Sequence, residues 1–355
     1  MATYKAVIIG LTGIGAQRPD ATTQESPYGR IPQSHAAAYQ AHPQTDVVAV
    51  CDIRPEMLDK FRQTWQDVWP TLHYYTDYRA MLAQMRPDIV SVVTPDHLHA
   101  DITVDAANSG AKAIFCEKPI ATTLADANRM IAACEKNNVL LSIDHTRRWY
   151  PLYHQARALL RSGELGPLST ITTSLFSKRA MLFRNGAHLI DMLHFLAEAD
   201  AQWVWAELET GFDHFDRYRG DGGHDPASEP SAAGYIHFAN GVRAFYESAK
   251  LAFPGAQFTL TCDHGRIEMT DQEMVVIRTD AAGKLVRTPI APDKTMDAGV
   301  LAAVTELIQV LEQGGELLCS GRTARKTLEV ILAMLRSHTL GNIRVNLPLA
   351  EVVLA

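Results

Sequence analysis

The chain has 355 residues, of which 47% are hydrophobic, and a formal net charge of −7. That length exceeds what one core usually organises and that apolar content fills two, so two domains are expected and a disordered or fibrous protein is excluded. The acidic balance, with no long basic block to offset it, argues against nucleic acid as a partner.

The opening MATYKAVIIG lacks the basic flank, apolar stretch and small-residue cleavage site of a secretory signal. No apolar run reaches the roughly eighteen residues of a membrane span, so a cytoplasmic protein is expected. Strand-length, β-branched runs then recur at Ala6 to Gly10, Val47 to Asp52, Leu72 to Tyr75, Asp88 to Thr94, Ala113 to Cys116 and Val139 to Asp144. Helix-period segments separate most of them, from about Glu56 to Trp65, Asp77 to Met85, His97 to Ser109 and Leu124 to Lys136. Alternation of this kind predicts βαβ units and a parallel sheet. Gly110 suits a C-cap, and Thr122 or Thr123 an N-cap.

After Pro151 the texture changes. One helix, Leu152 to Leu160, ends at Gly163, and alternating segments follow at Ser169 to Ser177, Gln202 to Glu209, Ala233 to Phe238 and Val242 to Ser248. Strands in succession predict an open, mostly antiparallel sheet. Asn240-Gly241 marks a hairpin, expected as a type I′ turn. Two helices, near Gly299 to Glu312 and Thr323 to Ser337, close the chain. The expected class is therefore α/β plus α+β, with a dinucleotide-binding Rossmann domain over residues 1–145 and a substrate-binding and oligomerisation domain over 146–355.

Gly10-Leu11-Thr12-Gly13-Ile14-Gly15 directly follows the first strand. Glycines there let backbone N–H groups approach a pyrophosphate, and a helix N-terminus favours its charge. Thr12 stands where the second glycine usually falls. The next strand ends in Cys51-Asp52, and a carboxylate at that place can accept hydrogen bonds from an adenosine ribose. Asp52 would repel a 2′-phosphate whereas Arg54 could receive one, so NAD is expected and NADP stays open. Ala16 to Ser34, with Pro19, Pro27, Gly29 and Pro32, reads as an insertion. It either reaches the cofactor or substrate through Tyr28 or Arg30, or is simply solvated.

Ligands of open parallel sheets lie beyond the carboxyl ends of the strands. Those ends here carry Thr94-Pro95-Asp96-His97-Leu98-His99, Glu117-Lys118-Pro119 and Asp144-His145-Thr146-Arg147-Arg148. Lys118 is the sharpest candidate, because a lysine beside a nicotinamide can donate to a substrate hydroxyl and stabilise negative charge as hydride leaves. Thr94, Pro95, His99, Glu117 and Lys118 join the glycine turn, Asp52 and Arg54 as cofactor-binding candidates. Glu117 reads as a positioning residue that anchors the lysine loop.

These motifs, with the later Gly163-Glu164-Leu165-Gly166, resemble the glucose-fructose oxidoreductase / inositol dehydrogenase (Gfo/Idh/MocA) family in order and spacing over nearly the whole chain. Asn185-Gly186-Ala187-His188-Leu189-Ile190-Asp191 resembles that family's second-domain motif, whose histidine is generally the proton-accepting partner of the lysine. The resemblance implies that His188 takes the hydroxyl proton while Lys118 positions and polarises the oxygen, as hydride passes from a secondary alcohol of a sugar, glycoside or cyclitol to the nicotinamide. Read without it, His188 is an ordinary helix-face histidine. Many such relatives carry an aspartate four residues before the histidine; here Arg184 stands there and joins Asn185, which would help orient substrate, and His188 as a substrate-binding candidate. Arg147, Arg148 and Tyr150 would border the substrate, although the arginines suit internal salt bridges equally well.

No metal is expected. Asp213-His214-Phe215-Asp216 and His224-Asp225 read as a solvated loop, and His97 with His99 as a loop flanking the nicotinamide. The five cysteines, Cys51, Cys116, Cys134, Cys262 and Cys319, are odd in number and without CxxC spacing, so reduced thiols are expected. Trp203 and Trp205 alternate along a strand and either bury against another subunit or pack under their own helices. The family resemblance implies a homo-oligomer. Two other functions compete with a dehydrogenase: a glycosidase working by transient oxidation and elimination with retained NAD, and a non-catalytic dinucleotide-binding regulator.

Overall fold

The computed structural model describes residues 3–19, 32–220 and 225–349. It divides into two compact units: Met1–Trp149 with Gly220–Gly222 and Thr295–Arg325, and Tyr150–Arg219 with Gly223–Lys294 and Lys326–Ala355. The division is thus not the single cut expected at residue 145, because Thr295–Arg325 folds with the first unit.

The first unit is a doubly wound α/β layer. Its strands are β1 (Tyr4–Ile9), β2 (Thr45–Cys51), β3 (His73–Tyr75), β4 (Ile89–Val92), β5 (Ala113–Cys116) and β6 (Leu140–Ile143), all parallel, in the order β3-β2-β1-β4-β5-β6. Every residue of β4 and β5 is buried, which explains why these strands read as continuous apolar runs rather than alternating ones. The order reverses between β1 and β4, so the carboxyl ends of those two strands flank the switch point where ligands of such sheets bind.

The connecting helices are α1 (His35–Ala41), α2 (Pro55–Trp65), α3 (Tyr78–Met85), α4 (His99–Asn108) and α5 (Leu124–Lys136). Ser34 caps α1 by accepting from the Ala37 N–H at 3.1 Å, and Thr123 caps α5 through the Asp126 N–H. Gly110, with φ +92°, takes the left-handed conformation just past the end of α4. α8 (Gly299–Gln313) packs on α1 and β6.

The second unit is built on a nine-stranded sheet in the order β14-β13-β12-β11-β7-β10-β9-β8-β15. Its strands are β7 (Leu168–Phe176), β8 (Ala201–Leu208), β9 (Ala232–Phe238), β10 (Arg243–Ala249), β11 (Gly255–Cys262), β12 (Gly265–Thr270), β13 (Met274–Thr279), β14 (Leu285–Ile290) and β15 (Val345–Asn346). The β7–β10 pair is parallel and the remaining pairs are antiparallel. Between β7 and β8 runs α7 (Asn185–Ala197), which packs on β7, β10 and α6 (Pro151–Arg161). α9 (Gly321–Thr339) precedes β15.

The hairpin at Asn240-Gly241 forms, but not as type I′. Only Gly241, at φ +86°, is left-handed; its N–H returns to the Phe238 carbonyl at 2.9 Å. One left-handed residue closing a longer turn lets Asn240 keep an ordinary conformation. Along β8, Val204, Ala206 and Leu208 face inward while Trp203 and Trp205 share the outer face, so neither tryptophan packs under a helix of its own unit.

Strands β11 to β14 lie outside the expected set, yet they carry core residues. Phe258 of β11 is fully buried and meets the Tyr153 ring edge-on at 5.6 Å. Phe258→Ala should therefore lower stability by about 3–5 kcal/mol in urea unfolding, as for an aromatic deleted from a packed core. A loss below about 1 kcal/mol would show that these strands are not integral to the core.

Candidate functional site

The carboxyl edge of the first sheet holds most of the candidate residues. Gly10 has φ +96°, and a side chain there would bring Cβ to 2.2 Å from the Val93 carbonyl; a Cβ on Gly15 would meet the Gly10 carbonyl at 2.4 Å. Close packing of the turn on β4 thus requires both glycines. Gly13, at φ +42°, has open space where its Cβ would stand, and Thr12 and Ile14 beside it are exposed.

Asp52, only 7% exposed, is turned onto this loop: Oδ2 accepts the Leu11 N–H at 3.0 Å and Oδ1 the Arg54 N–H at 3.0 Å. Each oxygen keeps a second lone pair. The Arg54 guanidinium lies 3.3 Å from Oδ1 and is about half exposed.

After β4, the Thr94 hydroxyl is buried without a hydrogen-bond partner among the described residues. Pro95 is exposed and leads a short helical turn over Asp96–Leu98. His99 is a correction to the expected cofactor contacts. It is fully buried, its Nδ1 3.0 Å from the Pro119 carbonyl and its Nε2 3.0 Å from the Thr94 carbonyl, so the ring ties two loops together and presents no face to a ligand. His97 sits with Nδ1 2.7 Å from the Gly220 carbonyl.

Glu117 and Lys118 follow β5, and both are half-buried. Glu117 points inward: Oε2 accepts the Lys118 N–H at 3.3 Å, and Oε1 lies 3.3 Å from Nε2 of His35 on α1. Asp144, at the end of β6, brings Oδ2 to 3.7 Å from the same nitrogen. His35 and Asp144 are fully buried.

The electrostatics follow from this burial. It pushes the His35 imidazole down to about 4 even though Asp144 acts to raise it. Burial, then the neighbouring Glu117, pushes the Asp144 carboxyl up to about 7, against His35, Thr146 and Lys118. Glu117 is raised by burial too, while Lys118 and His99 favour its ionised form. Among the described residues these three side chains are the group with donor atoms close enough together, within 4.8 Å, to hold a metal ion. Asp213, His214 and Asp216 are exposed and outside that group.

Two substrate candidates differ sharply. Arg147 is half-buried, but Arg148 is 4% exposed and donates from Nη1 to the Leu318 carbonyl at 3.0 Å. The expectation that Arg148 contacts substrate is corrected: it is packed inside the first unit. Tyr28, Arg30 and His224 lie outside the described residues.

In the second unit, Tyr150 is half-buried and directly precedes α6. Asn185 is the first residue of α7 and His188 follows on its first turn, both half-buried. One face of α7 is anchored by Asp191, fully buried, which accepts from the Thr327 hydroxyl at 3.0 Å. Arg184 is also a correction. Glu229, 3% exposed, accepts the Phe183 N–H and, at 3.2 Å, the Arg184 N–H, and its other oxygen lies 3.9 Å from the Arg184 guanidinium. A buried carboxylate thus holds Arg184 at the start of α7, which corrects its expected place among the substrate contacts.

The NAD-binding Rossmann model of the GFO_IDH_MocA oxidoreductases matches residues 28–145, and the GFO/IDH/MocA C-terminal domain matches residues 153–268. This chain belongs to the Gfo/Idh/MocA family. It is 27% identical to a D-apiose dehydrogenase of Paraburkholderia graminis over 86% of this chain and 84% of that protein. It is 32% identical to an inositol 2-dehydrogenase of Salmonella typhimurium over 45% of this chain and 49% of that one. The fold of aldose-aldose oxidoreductase from Caulobacter crescentus matches with a TM-score of 0.78 at 23% identity, over 97% of this chain and all of that one.

The residues of this Gfo/Idh/MocA chain fit the family's NAD. The turn leaves the backbone open at Gly13, where a ligand can approach it, and the orphaned Thr94 hydroxyl lies at the same sheet edge. Two positions escaped sequence reasoning. Ile53 is 81% exposed directly after Asp52, an apolar surface where a strand-end turn is ordinarily polar. His35 looks like part of an alanine-rich helix; its signal is a lone imidazole on a face otherwise buried as Ala36, Ala37 and Ala38.

The cluster gives stability a defined pH dependence. Unfolded, Asp144 would release its proton at about 4, whereas folded it holds it to about 7, so the folded state binds the extra proton and loses stability as pH rises through that window. His35 acts oppositely, since its folded value is depressed to about 4 and stability grows as pH rises from there to about 6.5. Asp144→Asn removes only the first slope. Its melting temperature relative to the parent should climb steadily as pH rises from about 4 to about 7. A difference independent of pH would mean that the carboxyl is not held neutral.

Proposed function

We propose that this chain is a dehydrogenase that oxidises a secondary hydroxyl of a sugar, glycoside or cyclitol, with Lys118 and His188 carrying the polar chemistry. The observation that carries the reading is Lys118 itself: a lysine at the carboxyl edge of a Rossmann sheet, beside a glycine turn with an open lip and two inward-facing carboxyl groups. The substrate class draws support from relatives named for apiose and inositol.

Gly10, Thr12, Gly13, Ile14, Gly15, Asp52 and Thr94 would hold the dinucleotide, with exposed Ile53 offering an apolar face to its base. The nicotinamide, when bound, supplies the acceptor for hydride. Lys118 donates to the substrate oxygen and stabilises the negative charge that grows there. His188 accepts the hydroxyl proton, and Asn185 orients the substrate. Asp52 favours NAD over NADP, since a 2′-phosphate would meet its buried charge before reaching Arg54.

The test is a panel of D-apiose, inositols, D-glucosides and aldoses with each nicotinamide, followed by absorbance of the reduced cofactor. Lys118→Ala and His188→Ala should each cut turnover of the best substrate by about a hundredfold or more and leave NAD affinity within a few-fold. Loss of NAD affinity with turnover of bound substrate unchanged would contradict both roles.

The protein is further proposed to be a homo-oligomer joined through the outer face of the second sheet. Trp205 and Phe245 are 39% and 43% exposed there, and the Trp203 and Tyr235 rings stack at 4.8 Å. Trp205→Arg with Phe245→Arg should convert the assembly to monomers in sedimentation velocity. An unchanged sedimentation coefficient would place the interface elsewhere.

A further inference from the structure

We infer that His35, Glu117 and Asp144 form a buried proton-holding site next to Lys118, in which Asp144 is a positioning residue that keeps the lysine ammonium charged. The inference rests on the polarising role proposed above for Lys118. Its basis is a chain of polar atoms with one consistent proton assignment. The Tyr39 hydroxyl lies 2.7 Å from Ser91 Oγ, and Ser91 Oγ lies 2.9 Å from His35 Nδ1. If Tyr39 donates to Ser91 and Ser91 to Nδ1, a neutral His35 carries its proton on Nε2, facing Glu117 Oε1 at 3.3 Å. Every donor is then used once, and the chain ends on an ionised Glu117.

Asp144 is left over. Its Oδ1 accepts from the Thr146 hydroxyl at 2.9 Å, but Oδ2 is buried with no hydrogen-bond partner and faces the cluster 3.7 Å from the imidazole. A second bare carboxylate so close to Glu117 is unfavourable among buried groups, and a proton held by the Asp144 carboxyl resolves it. Lys118 is within electrostatic reach of both carboxyls and favours the ionised form of each. By reciprocity both carboxyls favour the charged ammonium. As pH rises, the Asp144 carboxyl loses its proton; of the three side chains only that of Glu117 has any exposure, at 13%. A second negative charge then forms behind Lys118 roughly three pH units before a free lysine would lose its own proton, so both carboxylates are in place across the alkaline range.

The other groups around Asp144 leave this balance intact. Tyr39 on α1 has its hydroxyl raised by burial and stays neutral. The Cys116 thiol before Glu117 is pushed well up by burial. His99 and Asp96 act on Glu117 in opposite directions. On α8, which packs against β6, Glu306 accepts instead from Trp149 and the Leu318 N–H.

The experiment uses the full chain without substrate. Carbon NMR of isotope-labelled aspartate should show one carboxyl titrating near about 7, absent in Asp144→Asn and moved to lower pH in Glu117→Gln. Competitive labelling of lysines with acetic anhydride across pH, read by peptide mass, should show Lys118 in Asp144→Asn about tenfold more reactive at mildly alkaline pH than in the parent. Lys112, paired with Asp88 at 2.9 Å, serves as the unchanged control.

Coincident Lys118 labelling curves would overturn the inference, as would an Asp144 signal in the ordinary carboxylate range or a stoichiometric divalent metal lost in Asp144→Asn. If Asp144→Asn fails to fold, Glu117→Gln and the parent spectrum decide. Unimpaired turnover in Lys118→Ala would sink the catalytic reading alone and leave the Asp144 titration standing.

Discussion

The first unit depends on one constraint: two carboxyl groups and an imidazole crowd together at the end of a parallel sheet, with His35 and Asp144 fully buried and Glu117 nearly so. An isolated ion there would be unfavourable by far more than a protein domain's usual margin of about 5–15 kcal/mol, so the group must settle its protons internally. The geometry meets that demand with a hydrogen bond between Ser91 and His35 and one from Thr146 to Asp144, leaving one orphaned oxygen. Fixing Glu117 in this way also fixes the backbone of Lys118, because the same carboxylate accepts the lysine's N–H. The loop that carries Lys118 is thus held by buried groups behind it, which is how a long side chain acquires a defined position.

Architecture was legible because the two sheets obey different patterns. Strands buried on both faces, such as Ile89–Val92 and Ala113–Cys116, give continuous apolar runs, whereas β8 and β10 alternate inward and outward. Those periods survive in the letters. Strands β12 and β14 do not show them: in β12 half-buried residues alternate with buried ones, and β14 is exposed almost throughout, so no strong period marks either. The packing of residues 295–325 with the first unit was equally hidden, since contacts distant in sequence decide it.

Site residues divided along the same line. Lys118, Glu117, Asp52 and the glycines sit at strand ends, where position along the chain implies position in space. His99, Arg148 and Arg184 also sit at element ends, yet each turns its polar group onto protein: carbonyls of Thr94 and Pro119, the carbonyl of Leu318, and Glu229. Sequence gives the placement of the backbone and says little about which way a long side chain turns. His35 was missed for the converse reason, because its partners are three strands distant in sequence and its own helix reads as alanine-rich.

The Arg184–Glu229 pair explains how this chain differs from relatives with an aspartate before the histidine. A carboxylate is present near the start of α7, but it arrives from the segment before β9 and accepts two backbone N–H groups at the helix entry. Negative charge at a helix N-terminus is favourable, and a carboxylate so engaged is held as an acceptor. Arg184 then covers the charge that would otherwise be buried alone. A carboxylate committed to backbone is poorly suited to shuttle protons, which fits the proposal that an imidazole, that of His188 one turn further along the same helix, is the base of the second unit.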